Sequence, residues 1–380
     1  MPPLGILIVG TGRIAMANHL PGIALSGKAR VVALCDSDPR VLEEASRQTG
    51  ITRLHRDFQQ ALEDPQVDAV IIATPNIVHP PAVLAAARLK KHVMSEKPLA
   101  LDGKTAREMY RAAEAAGIVH MTAFTYRFVP AMRYAEQLVK SGAIGRPLHL
   151  RAQRFQDWQT RDLGWRQVKE LAGTGELGDM LSHRIDYAHL LVGHFTRLVA
   201  DLRTFTPMRD GAPNDTDDWV ALIAAFDGDT TGVLESTKLA TGRGEGYGGR
   251  DDVEINGSEG TIVYSTQSPL ELRIGRKGGI ELETVKVPTE LQVWPGSRRD
   301  PREGDPRVTF RYDQGVEFIH AILEKRPARP SLLAGVEAQI VMDAALTSHT
   351  ERRWVDVDYR AASPPQGASE GPLRDPHGVA

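Results

Sequence analysis

The sequence predicts an α/β protein, with an N-terminal doubly wound parallel sheet followed by a C-terminal α+β domain on a mostly antiparallel open sheet. Three observations carry this. Up to about residue 125, short apolar runs alternate with helical segments. Beyond it, strand-like stretches follow one another without helices between them. At 380 residues the chain also exceeds what one compact core ordinarily organises, so two domains are expected.

Leu4–Val9 and Val31–Cys35 are apolar runs of the kind shown by strands covered on both faces. Between them Ile14 to Ser26 predicts one helix, stopped at Gly27. Val67–Ala73, entered after Asp64-Pro65 and left at Thr74-Pro75, is a further buried strand. The Ala-rich Pro81–Lys91 predicts a helix and His92–Ser95 a short strand. A helix over Gly103–Ala116 stops at Gly117 and leads into a strand at Ile118–Phe124. In the second part, helices are expected over Pro130–Lys140 and Leu177–Val192. Strands are expected over Leu198–Phe205, Trp219–Phe226, Gly232–Lys238, Val253–Ile255 with Gly260–Tyr264, and Glu281–Val287. Short Gly- or Asp-containing turns between them point to antiparallel pairing. Two helices, about Tyr312–Glu324 and Leu333–Glu351, close the fold. The expected division is 1–125, 126–360 and a tail, 361–380, whose Pro, Gly and Ser content predicts that it does not fold. No internal repeat is visible.

Lys+Arg 46 against Asp+Glu 49 leaves a net charge of −3, which supplies no electrostatic footprint for nucleic acid or an anionic membrane. The single cysteine, Cys35, rules out an intrachain disulfide. No secretory leader is recognisable, and no apolar run approaches the ~20 residues that span a bilayer. A cytoplasmic protein with a small-molecule partner is expected.

Gly10-Thr11-Gly12-Arg13-Ile14-Ala15 lies between the first strand and the first helix. In a Rossmann domain the first glycine permits the tight turn and the second lets the backbone approach a pyrophosphate. A third small residue, here Ala15, allows helix and strand to pack closely. Amides at the helix N-terminus, from Arg13 and Ile14 onward, then face the phosphates. Asp36 ends the second strand, where a carboxylate accepts hydrogen bonds from the adenine ribose hydroxyls. A carboxylate there also repels the 2′-phosphate of NADP, and Asp38 adds a second negative charge. Arg40 offsets this only in part, so NAD(H) is the expected cofactor and NADP the less favoured one.

Five further motifs appear in order: Ala73-Thr74-Pro75-Asn76 with His79; Ser95-Glu96-Lys97-Pro98; Tyr126-Arg127-Phe128 with Pro130; Gly164-Trp165-Arg166; and Gly175 through Asp186. Together with Glu254 through Thr261 they resemble the Gfo/Idh/MocA oxidoreductase family, which includes glucose–fructose oxidoreductase and inositol dehydrogenase. The resemblance runs to about residue 357. It implies an NAD(H)-dependent oxidoreductase acting on a sugar, sugar derivative or cyclitol, and a homodimer or homotetramer. The family's catalytic trio falls on Lys97, Asp179 and His183.

A lysine beside a glutamate, taken alone, reads as a surface ion pair. Lys97, however, follows a strand on the side of the sheet where doubly wound folds bind ligands. The resemblance implies that it hydrogen-bonds the reacting oxygen and stabilises its negative charge. A cis bond at Pro98 is one conformation open to it. Asp179 and His183 are spaced i, i+4 and share a helix face. Imidazole is the natural base near neutral pH. Whether Lys97 or His183 takes the proton, and whether Asp179 orients His183 or holds a substrate hydroxyl, stays open at this level. Asp179, His183, Asp186 and His189 lie within one helical stretch and cannot all reach one ion, so no metal is expected. The family's usual glycine two residues before the histidine is Leu181 here, which puts substrate size in question.

Asn76 and His79 are expected on the cofactor side, as is Thr74, and Glu96 near the nicotinamide ribose. Tyr126, Arg127, Trp165 and Arg166 are expected to border substrate, since aromatic and guanidinium groups suit sugar faces and hydroxyls. Trp158, Arg154 and the Gly242–Gly249 loop, with Arg243 and Tyr247, are weaker candidates. Two alternatives remain at this level: glycoside cleavage through transient oxidation, and a non-catalytic dinucleotide-binding regulator.

Overall fold

The computed structural model describes residues 2–245 and 249–360. The expected tail, 361–380, and Tyr247 lie outside them.

Six parallel strands form the first sheet: β1 (Leu4–Val9), β2 (Ala29–Cys35), β3 (Leu54–His55), β4 (Ala69–Ile72), β5 (His92–Ser95) and β6 (His120–Thr122). Their order is β3-β2-β1-β4-β5-β6. Successive side chains of a strand point to opposite faces. Accordingly Ile6 and Ile8 enter one apolar cluster, while Leu7 and Val9 enter the cluster on the other side. Strand order reverses between β1 and β4, so a crevice opens beyond their C-terminal ends. Helices cover the faces: α1 (Leu20–Ser26), α2 (Pro39–Thr49), α3 (Phe58–Leu62), α4 (His79–Arg88) and α5 (Gly103–Ala116). Side-chain oxygens of Asp38, Asp57 and Asp102 cap α2, α3 and α5 at their N-termini.

The helix expected from Ile14 to Ser26 is not uniform. A π-helical turn, Ala15–His19, precedes α1. Pro21 explains the change: in a regular helix its ring would collide with the carbonyl of Ala17, and a wider turn relieves that. The helix expected over Leu177–Val192 divides in the same way.

The second part contains α6 (Pro130–Lys140), β7 (Pro147–Phe155), α7 (Lys169–Ala172), a π-helical turn Leu177–Leu181 running into α8 (Ser182–Leu191), and β8 (Phe195–Arg203). A small hairpin, β9 (Met208–Arg209) and β10 (Ala212–Pro213), is followed by β11 (Trp219–Phe226), β12 (Thr231–Thr237), β13 (Arg250–Gly257), β14 (Gly260–Ser265), β15 (Glu271–Arg276) and β16 (Glu283–Lys286). Helices α9 (Pro306–Thr309), α10 (Asp313–Glu324) and α11 (Leu332–Glu351) precede the last strand, β17 (Val355–Asp356). Nine strands pair in the order β16-β15-β14-β13-β7-β12-β11-β8-β17. All pairings are antiparallel except β7 with β12. Along β11, Val220, Leu222, Ala224 and Phe226 point into the core while Ile223 stays on the open face.

The N-terminal sheet does not stand alone. Leu332, Val336 and Ile340 of α11 belong to its apolar cluster with Val93 and Ala106. Ala338, Val341 and Ala345 on the opposite side of α11 belong to the cluster under the nine-stranded sheet. A helix apolar all round is buried on both sides, and α11 joins the two sheets. No helix among the described residues is long and apolar enough to cross a membrane.

Candidate active site

Gly10 leaves β1 with φ +86°, and a Cβ there would stand 2.5 Å from the Ala73 carbonyl oxygen. Only glycine fits where the chain passes the end of β4. Gly12 is exposed, and a Cβ on it would meet nothing within 4 Å. Free amides at the start of the Ala15–His19 turn border that open space, with Arg13 exposed and Ile14 half-buried beside it. Asp36 Oδ2 accepts the Thr11 amide at 2.8 Å and the Thr11 hydroxyl at 3.1 Å, while Oδ1 accepts the Asp38 amide at 3.0 Å. A carboxylate is thereby fixed at the edge of the loop. Arg40 turns its guanidinium to Asp38, at 3.6 Å. Open space over helical amides and a held carboxylate fit a dinucleotide with free ribose hydroxyls.

Thr74 and His79 meet on the crevice floor. The two ring nitrogens of fully buried His79 lie 3.0 Å from the carbonyl oxygens of Pro98 and Thr74. Burial lowers its pKa below the usual imidazole value, against the opposing pull of those carbonyls. Asn76 donates through Nδ2 to the Ala172 carbonyl at 2.9 Å. Both side chains thus brace the loops that frame the crevice. Glu96 Oε1 lies 2.9 Å from Nε2 of fully buried His19, at the end of the first π turn. Burial pushes the Glu96 carboxyl up, but the hydrogen bond and charge of His19 with the charge of Lys97 outweigh it, so its pKa is lowered.

Lys97, next in the chain and joined to Pro98 by a cis bond, points the other way. Its ammonium donates to the backbone carbonyl of Asp179 and lies 3.2 Å from Asp179 Oδ1. Two neighbouring residues therefore reach two different π turns. The seat of the second turn is tight. A Cβ on Gly175 would stand 2.0 Å from the Asp217 carbonyl oxygen, and the Asp217 carboxylate accepts the amides of Gly175 at 2.6 Å and Leu177 at 2.8 Å. Burial would raise the Asp179 pKa, yet the ammoniums of Lys97 and Lys238 and the guanidinium of Arg166 hold it far below the carboxylate range.

His183 is 3% exposed, its ring edge-on to Tyr126 with centroids 4.7 Å apart and to Phe124 at 5.8 Å. Its Nδ1 has no hydrogen-bond partner among the described residues. Burial, then the charges of Lys97 and Arg184, depress its pKa well below the usual value. The imidazole is neutral near pH 7.

Other expected residues sort differently. Arg127 is drawn to Asp186, with Nε 2.8 Å and 3.0 Å from its two oxygens, and its fork is occupied there. Tyr126 packs on His183, and its hydroxyl accepts from Arg311 at 3.3 Å. The Arg166 guanidinium stacks 4.3 Å over Trp165, and that of Arg161 4.4 Å over Trp158. Arg154 is buried, 3.7 Å from Asp251, and Arg243 is exposed. Leu181 is fully buried in the apolar core, so the departure from the family's glycine adds no side chain to the pocket. His189 lies 2.8 Å from the Tyr359 hydroxyl, away from Asp179. Among the described residues, no group of three His, Cys, Asp or Glu side chains converges to hold a metal. Sequence reasoning did not single out His19, Glu176 or Lys238. Each faces a partner distant in the chain, and nothing in its immediate neighbours announces that.

Fold and site together define an NAD-dependent oxidoreductase. The chain belongs to the Gfo/Idh/MocA oxidoreductase family: the family's NAD-binding Rossmann fold matches residues 4–124, and its C-terminal domain matches residues 132–263. Levoglucosan dehydrogenase of Pseudarthrobacter phenanthrenivorans is 33% identical over 95% of this chain and 100% of its own length. Myo-inositol 2-dehydrogenase of Thermotoga maritima is 28% identical over 67% of this chain and 73% of its own. Among solved structures, levoglucosan dehydrogenase in complex with NADH and levoglucosan superposes with a TM-score of 0.85 at 32% identity, covering 93% of this chain and 99% of that one.

Proposed function

We propose that the chain is an NAD(H)-dependent dehydrogenase or reductase for a secondary alcohol or ketone of a sugar, sugar derivative or cyclitol, with Lys97, Asp179 and His183 at the reacting group. One observation carries this reading: the Lys97 ammonium sits on Asp179, with neutral His183 a turn further on, at the crevice where the sheet order reverses. NAD, when bound over the Gly10–Gly12 loop, supplies the hydride acceptor or donor.

The side chains divide the remaining work. His183, neutral, accepts the proton of the substrate hydroxyl in the oxidative direction and returns it in reduction. Lys97 donates a hydrogen bond to the same oxygen as negative charge develops on it. Asp179 holds Lys97 in place through its carboxylate and its backbone carbonyl. The stacked Trp165–Arg166 and Trp158–Arg161 pairs offer flat faces to sugar C–H groups and donors to hydroxyls. We place the protein in the cytoplasm as a homodimer or homotetramer. The charged open face of the nine-stranded sheet, with Arg151, Arg250, Glu254 and Arg273, is the surface offered to a second copy.

The test is a panel of levoglucosan, myo-inositol, D-apiose, D-glucose and D-gluconate with NAD+ and NADP+, followed by nicotinamide absorbance. NADH is expected to accumulate stoichiometrically with at least one of them, with NAD+ favoured over NADP+ at least about tenfold by the Asp36 carboxylate. No turnover of any member, or sugar release without net NADH, contradicts the reading.

A further inference from the structure

Lys238 stands just past β12, and its side chain is only 1% exposed. An ammonium is rarely taken fully out of water unless nearby charges compensate it. Two carboxylates do so here: Glu176 Oε2 at 3.2 Å and Asp179 Oδ2 at 3.5 Å. Glu176 is itself fully buried and accepts the Ser236 hydroxyl on its other oxygen. Four charges therefore alternate, Lys97, Asp179, Lys238, Glu176, from the crevice into the interior. A stabilising ion pair needs only Glu176. The second reach, to the oxygen of Asp179 that Lys97 leaves open, is not explained by stability.

We propose that Lys238 is a second lysine of the active site, a positioning residue that shares the Asp179 carboxylate with Lys97. The inference rests on the roles given above to Lys97 and Asp179. A carboxylate with an ammonium beside each oxygen has less freedom to turn, so Oδ1 stays presented to Lys97. Because its charge is divided between two ammoniums, it grips Lys97 less tightly, and the Lys97 N–H groups are freer to follow the substrate oxygen. The charged and titratable groups facing Asp179 are Lys97 from beyond β5, Lys238 from beyond β12, Arg166 from its turn, and Glu176 and His183 from the same helical stretch; Asp217 also faces Lys238.

The experiment compares Lys238→Met with the double variant Glu176→Gln/Lys238→Met, which removes both buried charges and leaves no orphaned ion. Steady-state kinetics use NAD+ and the panel polyol that wild type oxidises fastest. In the double variant kcat is expected to fall at least about tenfold, with KM for NAD+ within about threefold. The acid limb of kcat/KM is expected to move up in Lys238→Met, because removing a cation raises the proton affinity of groups beside it, and to move less in the double variant, which loses the Glu176 anion as well. A double variant with wild-type kcat overturns the inference: Lys238 then only neutralises Glu176. Asp179→Asn is run beside it. Wild-type turnover in Asp179→Asn, or no polyol turned over by wild type, defeats the functional reading itself and the inference with it. An inactive Asp179→Asn beside an unaffected double variant defeats the inference alone.

Discussion

Lys97 and His183 lie side by side in different surroundings. Lys97 faces the Asp179 carboxylate, whereas burial, with Lys97, Arg184 and Arg311 as cations nearby, depresses the His183 pKa. The sign of the pH dependence follows. A group whose folded pKa is depressed stays in its deprotonated form until pH falls through that lower value. His183 therefore remains a competent base from pH 8 to below 6.5, and kcat/KM measured across pH 5–9 should show no acid limb in the ordinary imidazole range near 6.5. A limb centred there would mean that His183 is solvated or is not the base. His183→Asn should lower kcat by about 10²–10⁴-fold with little change in NAD+ affinity, the usual contribution of general-base catalysis. At this scale the positions of Lys97, Asp179 and His183 were legible because each lies in a recognisable local motif. Lys238 was not. A lysine after an apolar strand reads as an exposed end, and only the pairing of β12 with β7 sets it facing Glu176 and Asp179.

Two helical elements carry the site, and both begin in π turns. Pro21 explains the first. The second is seated by Gly175, Asp217 and Gly178, where a Cβ would stand 2.6 Å from the Thr174 hydroxyl and 3.3 Å from Pro98 Cγ. Helical periodicity shows that a helix exists but not that one of its turns is widened, because the cause lies in contacts from β11 and the Pro98 loop. Gly175→Ala should destabilise the protein by about 1–3 kcal/mol, the range for overpacking a closed site, and lower kcat as Asp179 shifts from Lys97. Urea unfolding and kcat read the two effects, and an unchanged midpoint would show that the seat has slack. Strand β7 was missed for a related reason: Leu148, Leu150 and Ala152 alternate with His149, Arg151 and Gln153, but Gln153 and Arg154 are buried too, Arg154 against Asp251, and blur the pattern. Its half-buried pattern is recognisable only between β12 and β13.

On the scale of the molecule, α11 ties the cofactor sheet to the substrate sheet. The expected boundary at residue 125 follows the end of the strand–helix alternation, which is a local property. It does not record that Leu332, Val336 and Ile340 complete the N-terminal core from more than 200 residues away. Burying three aliphatic side chains contributes roughly 5–9 kcal/mol, comparable with the whole stability of a domain. A fragment 1–125 should therefore lack a cooperative urea transition by circular dichroism, whereas the full chain should show one. A fragment that unfolds cooperatively would mean the first sheet is self-sufficient. The two sheets, held this way, set the distance between the Gly10–Gly12 loop and the Lys97–Asp179–His183 group. The most direct test is single-turnover NADH formation in Lys97→Met, with saturating NAD+ and the best panel polyol. The hydride step should slow by at least about 10²-fold while the dissociation constant for NAD+ stays within about threefold of wild type. A Lys97→Met enzyme that forms NADH at the wild-type rate would contradict the assignment of that ammonium to the reacting oxygen.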